Sequence, residues 1–126
     1  MIGFDKKNEE RLRRDWADPR LDSRLRFLVW ALVGFVSQFR KDLIITSIFR
    51  PDPGSVHGHW RGIDARSSIF SSTQRQRILA FTNQLRYDRA KPELDTAIHH
   101  NVGQGWHFHL QTNSGAETIL VKVNDV

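Results

Sequence analysis

Four residues of the chain have side chains and spacing that suit a metal site. His57 and Asp64 are separated by six residues, and His107 and His109 follow in a later cluster, two positions apart. Imidazole nitrogen and carboxylate oxygen both bind zinc, and a site with three protein ligands leaves the fourth position open to water. Because the chain has no cysteine, a closed thiolate site is excluded. The pattern predicts an open zinc site of mixed His and Asp ligands.

The elements around these residues predict how they converge. Residues 43–48 are rich in β-branched side chains and predict a buried strand, 51–54 predict a loop, and 62–65 predict a short strand. His57 then lies on a loop and Asp64 on the next strand, with Gly58 and Gly62 expected to let the backbone turn between them. Since alternate side chains of a strand share a face, His107 and His109 are expected to face the site together.

The wider pattern is helical first and mostly strand afterwards. Helices are predicted over 5–15, from Asp22 or Ser23 to Arg40-Lys41, and from Ser71 or Ser72 to Tyr87. Strands are predicted over 96–100, 106–112 and 118–123, with a turn at 113–115. This order predicts an α+β fold in which N-terminal helices pack on a small antiparallel sheet that carries the zinc site. The length predicts one domain over 1–126, with a helical part at 1–41 and a zinc-site core at 42–126.

The composition limits the classes of partner. The formal charge is +5, and a basic surface attracts polyanions such as an acidic cell wall. The longest apolar run, 27–36, is too short for a membrane span. The charged N-terminal residues do not resemble a signal peptide, so we expect a cytoplasmic protein. Its later release to the cell wall, or its association with a phage, is implied only by the family resemblance described next. A nucleic-acid partner is not expected, because the helix-borne cations form no tight stripe and no known binding motif. Those cations are Arg75, Arg77, Arg86 and Arg89.

The motif residues resemble a known family of zinc peptidases. Thr46-Ser47-x-x-Arg50, followed by Ser55-x-His57 and Asp64, is similar to the D-alanyl-D-alanine zinc peptidases and the phage L-alanyl-D-glutamate endopeptidases. These enzymes share a zinc-site fold with lysostaphin-type peptidases and the hedgehog signalling domain. The resemblance covers about residues 43–112, and it implies Zn2+ as cofactor and peptidoglycan stem peptides as substrate.

The resemblance also implies a role for each matching residue. His57 and Asp64 become zinc ligands, His109 the third ligand, and His107 its catalytic neighbour. Family members with a single late histidine would instead align His107 as the ligand. Arg50 resembles the arginine that binds a substrate carboxylate. The serine of the motif, Ser55, is expected at the substrate site as well.

One departure from the family pattern concerns the general base. Many members carry Glu or Asp a few residues before the last ligand, whereas this chain has no carboxylate between Asp95 and His109. If His107 were the ligand, Gln104 would occupy the position of the base, and glutamine cannot accept the proton. The chain then relies on His107, with His100, for proton transfer, or it has lost catalysis.

Two functional predictions follow from the resemblance. The first is a zinc metallopeptidase of peptidoglycan stem peptides, as in a phage or prophage lysin. The alternative is a catalytically inactive zinc-binding module of the same fold that recognises cell-wall or protein partners. His59, His99 and His100 also have a simpler interpretation, as solvated loop residues without a role in the site.

Overall fold

The described part of the chain forms three helices and a central five-stranded sheet. A computed structural model describes residues 1–86, 95–101, 103, 105–112 and 120–121. Its helices are α1 (Glu9–Ala17), α2 (Ser23–Val36) and α3 (Ser72–Thr82). Its strands are β1 (Ile2–Phe4), β2 (Leu43–Ser47), β3 (Gly62–Arg66), β4 (Leu85–Arg86), β5 (Ala97–Asn101), β6 (Trp106–Gln111) and β7 (Leu120–Val121). Short 3₁₀ helices occur at Lys6–Asn8, Ser37–Phe39 and Val56–His59. The predicted α+β class is confirmed.

Helix α2 is the central helix of the core, as its apolar pattern predicts. The side chain of Asp22 caps it by accepting the backbone N–H of Arg24 at 2.8 Å. The helix ends at Val36 and continues as the 3₁₀ turn, earlier than the predicted end at Arg40-Lys41. Arg40 stops it, because this residue adopts a left-handed conformation with φ of 57°.

The main sheet has the strand order β1-β2-β3-β6-β5. Pairing is antiparallel throughout this sheet except between β1 and β2, which run parallel. The antiparallel prediction is therefore correct for the strands around the site, and it missed β1. Ile2 and Phe4 are too short an apolar segment to predict a strand alone, and they are ordered by pairing with β2. The N-terminal part is consequently not purely helical.

The predicted third helix is too long at its C-terminal end. Helix α3 ends at Thr82, whereas the prediction carried it to Tyr87. Asn83 turns toward β5 instead, where its side chain donates to the carbonyl of Ala97 at 3.0 Å and accepts the N–H of the same residue at 2.8 Å. Leu85 then begins β4, which pairs with β7. Tyr87, the predicted turn at 113–115 and most of the predicted strand at 118–123 lie outside the described residues.

The two faces of the sheet differ in character. One face packs on the helices and contributes the buried apolar core, while the opposite face carries the predicted site residues, because side chains alternate along each strand. His99 lies on the core-facing side, where its ring packs 5.3 Å from that of Phe108, centroid to centroid. The buried apolar side chains on this core-facing side of β2, β3, β5 and β6 are Leu43, Ile45, Ile63, Ala65, Ala97, Phe108 and Leu110.

Two further expectations concern surface properties. Within the described ranges, no helix has the length and apolar character to cross a membrane. Of the arginines considered as a nucleic-acid surface, Arg77 donates to Gln38 at 2.8 Å and lies over the ring of Phe39. The side chain of Arg86 and all of Arg89 lie outside the described residues.

Candidate metal centre

The loop that carries His57 is shaped by local backbone contacts. Ser55 precedes the 3₁₀ helix Val56–His59, and its hydroxyl oxygen accepts the N–H of His57 at 3.2 Å. Trp60 ends the turn in a left-handed conformation with φ of 59°. Ser55 thus positions His57, and its predicted contact with substrate stays a prediction.

The glycines of this loop act through their lack of a side chain. Neither Gly58 nor Gly62 has a positive φ, so the expected turning role belongs to Trp60. A Cβ on Gly58 would lie 1.9 Å from the carbonyl oxygen of Asp52, and one on Gly62 would lie 2.6 Å from Val56. A side chain at Gly58 would push the 3₁₀ helix away from the backbone of Asp52, and one at Gly62 would push the same helix away from β3.

His57, Asp64 and His109 form a buried group that can hold a metal ion. Asp64 on β3 is the direct cross-strand partner of His109 on β6. Nε2 of His57 lies 3.1 Å from Oδ1 of Asp64, and Nδ1 of His109 lies 2.9 Å from the same oxygen. Their exposed fractions are 0%, 3% and 8% in chain order. The two predicted histidine ligands therefore converge on one oxygen of the third ligand, Asp64.

The hydrogen bonds behind the rings indicate that this group fits a cation. Nδ1 of His57 lies 2.7 Å from the carbonyl oxygen of Ile48, and Nε2 of His109 lies 3.1 Å from the amide oxygen of Gln111. A carbonyl oxygen only accepts, and a neutral imidazole carries one N–H. The nitrogens that face Asp64 are then lone pairs directed at a carboxylate. An added proton on each ring, or a cation between the groups, makes these contacts favourable.

Asp64 remains ionised in this environment. Burial acts to raise the pKa of its carboxyl group, but the hydrogen bonds that His109 and His57 donate when their rings are protonated, and the charges of those protonated rings, lower it more strongly. The net effect holds the pKa below its ordinary value of 3.8. An ionised carboxylate is the form that binds a metal.

The second oxygen of Asp64 has different neighbours. Arg50 donates to Oδ2 at 3.3 Å, and Nε2 of His107 lies 3.6 Å from the same atom. His100 is the cross-strand partner of His107, and their ring centroids are 4.7 Å apart. His109 and His57 thus lie at one oxygen of Asp64, whereas His107 and Arg50 lie at the other. Burial, followed by the charges of His107 and His109, lowers the pKa of His100.

A polar cavity of about 360 Å³ lies beside the candidate centre, with Asp64 and His107 among its lining residues. It contains the motif residues Thr46 and Ser47, together with an ion pair that the sequence did not suggest, between Asp5 and Arg66 at 3.0 Å. Asp5 comes directly after β1, and nothing in its local sequence signals the parallel pairing that brings it here. The lining residues are Asp5, Asn8, Thr46, Ser47, Asp64, Arg66, Ser68, Trp106 and His107.

The remaining histidines have other partners, and one glutamine was overlooked. His59 is exposed and contacts the carbonyl oxygen of Pro53 at 2.9 Å, as expected of a loop residue. His99 lies within β5, in agreement with the strand predicted over 96–100, and contacts Ser67 at 2.9 Å. Gln111, behind His109, was not predicted, although its place two residues further along the same strand puts it on the same face. Gln104, considered at the position of the base, lies outside the described residues.

The resemblance to the zinc peptidases depends on these residues alone. No protein family, curated protein or solved structure matches the chain. The candidate centre is therefore defined by its own geometry: two imidazoles and a carboxylate, buried, with a polar cavity on one side.

Proposed function

We propose that the protein is a zinc-dependent peptidase that cleaves the stem peptides of bacterial peptidoglycan. The observation that carries the proposal is the convergence of His57 and His109 on one oxygen of Asp64, with the ring nitrogens available as ligands. The motif resemblance supplies the substrate class. The formal charge of +5 is consistent with an acidic cell wall.

Zinc suits this set of ligands better than magnesium or calcium does. Two imidazoles and one carboxylate are a known ligand set of catalytic zinc, whereas magnesium and calcium prefer oxygen ligands alone. Three protein ligands leave a coordination position open. When bound, zinc supplies Lewis acidity and lowers the pKa of water toward 7.

The neighbouring side chains have complementary tasks in this proposal. Arg50, half-exposed beside Oδ2 of Asp64, orients a carboxylate of the stem peptide through its guanidinium group. His107 lines the cavity together with Asp64 and can accept and return a proton there, and His100 contacts its ring. The polar cavity receives the peptide next to the centre.

The test is digestion of purified cell walls. Zinc-loaded protein is expected to release new amino termini, a chelator to stop the reaction, and added zinc to restore it. His57→Ala serves as the negative control because it removes a ligand. If zinc-loaded protein released no amino termini from walls of several bacterial types, the peptidase proposal would be wrong.

The alternative, a zinc-binding module without catalysis, is favoured by one specific observation. Asp5 is the carboxylate that lines the cavity besides the ligand Asp64, and it is paired with Arg66. Its Oδ1 already accepts a hydrogen bond from Arg66, so this oxygen is not free to take a proton from a water molecule at the centre. One zinc per chain together with inert walls would support this module.

A further inference from the structure

Each histidine of the candidate centre has one ring nitrogen against an acceptor oxygen. For His57 the acceptor is the carbonyl of Ile48, and for His107 it is the carbonyl of Gly105, 3.1 Å from Nδ1. For His109 the acceptor is the side chain of Gln111. Among these three contacts, the last is the one that a substitution can remove without changing the backbone.

The amide of Gln111 is itself held in one orientation. Its Nε2 donates to the carbonyl oxygen of Asp95 at 2.9 Å, which leaves Oε1 toward Nε2 of His109 at 3.1 Å. Because the amide oxygen can only accept, it stabilises the form of the neutral ring that carries its proton on Nε2. Nδ1, 2.9 Å from Asp64, is then the nitrogen with a lone pair.

We propose that Gln111 is a positioning residue that selects Nδ1 of His109 as the metal-binding nitrogen. The inference rests on the proposed metal site and deepens it. Without the acceptor, the neutral ring can move its proton to Nδ1 and donate it to Asp64, which blocks the nitrogen that the metal needs. Partners behind a ligating histidine fix its tautomer and ring orientation in this way.

The experiment compares Gln111→Leu, which removes the acceptor, with Gln111→Glu, which keeps an acceptor oxygen. Gln84→Leu, at an exposed glutamine after α3, is the matched control. Zinc affinity is measured by competition with a chromophoric chelator. The tautomer of His109 is read from ¹⁵N NMR of the ring in the metal-free protein, and thermal unfolding shows that each variant is folded.

Loss of zinc affinity by roughly tenfold to a hundredfold is expected for Gln111→Leu, the usual effect of losing such a partner. Affinity close to wild type is expected for Gln111→Glu and Gln84→Leu. In the Leu variant, NMR is expected to show the proton shifting from Nε2 to Nδ1 of His109. A merely structural role for Gln111 would lower the unfolding temperature but leave this signature unchanged.

Two results would overturn the inference. One is wild-type zinc affinity in a folded Gln111→Leu variant, and the other is an unchanged His109 tautomer in that variant. If wild-type protein bound no zinc, the proposed function would fall separately, while the NMR comparison would still decide whether Gln111 sets the ring of His109.

Discussion

Asp64 and His109 face each other directly across two antiparallel strands, and Nδ1 of the histidine lies 2.9 Å from Oδ1 of the carboxylate. The register of β3 against β6 therefore fixes half of the candidate centre. A slip of one residue would turn one of the two side chains to the opposite face of the sheet. The other ligand, His57, reaches the same oxygen from a loop that is held by its own contacts.

Removing a ligand from this group should abolish metal retention. We expect His57→Ala and Asp64→Ala, purified without a histidine tag, to retain no zinc. Zinc should no longer raise their unfolding temperature, because a metal stabilises only the form that binds it. Bound-metal analysis and thermal unfolding measure both effects. His59→Ala is the matched control, since His59 lies two residues away but is exposed; full zinc in either ligand variant would show the assignment to be wrong.

The two histidines of β6 should respond differently to substitution. His107→Ala is expected to keep most of the zinc and lose most of the peptidase activity, because its ring lies 3.6 Å from the second oxygen of Asp64. His109→Ala is expected to lose the zinc. Metal content of the two variants decides the question without a substrate. The reverse pattern would assign His107 as the third ligand and place Gln104 at the position of the base.

Arg50 should affect substrate and leave the metal in place. Its contact with Asp64 at 3.3 Å involves one nitrogen, and its side chain is 35% exposed. Arg50→Ala is expected to lower kcat/KM by an amount on the order of 1.5–3 kcal/mol, the scale of a hydrogen bond to a charged group. Steady-state kinetics and metal analysis give the two readouts. Arg50→Lys keeps the charge and loses the fork, so partial recovery is expected; zinc loss in Arg50→Ala would instead point to support of Asp64.

Gly58 should tolerate no side chain. The Cβ of alanine would lie 1.9 Å from the backbone oxygen of Asp52, so the loop that carries His57 must move. Gly58→Ala is expected to lower the free energy of unfolding by about 1–3 kcal/mol, as overpacking does, and to weaken zinc binding. Gly54→Ala is the control, because its Cβ would meet only the side chain of Asp52, at 3.4 Å. Equal stability of the two variants, measured by urea unfolding, would contradict this role.

Local pattern was sufficient to predict the site-bearing strands. Alternation places His107 and His109 on one face of β6, and turn residues separate His57 from β3. The ends of the elements were predicted less well. Helix α3 ends at Thr82 because Asn83 binds the backbone of Ala97, which is a contact between separate segments of the chain. Helical propensity after that point is outweighed by pairing between β4 and β7.

The sequence by itself determined the α+β class and the set of histidines and carboxylate from which a metal site can form. Only the tertiary structure decided that His57 and His109 share one oxygen of Asp64, because strand register and loop contacts set those distances. It likewise brought Asp5 into the cavity through parallel pairing of β1, and placed Gln111 behind His109 with its amide fixed by Asp95. Composition and periodicity describe each segment alone, whereas the orientation of a ring depends on hydrogen-bond partners that come together only when the segments pack.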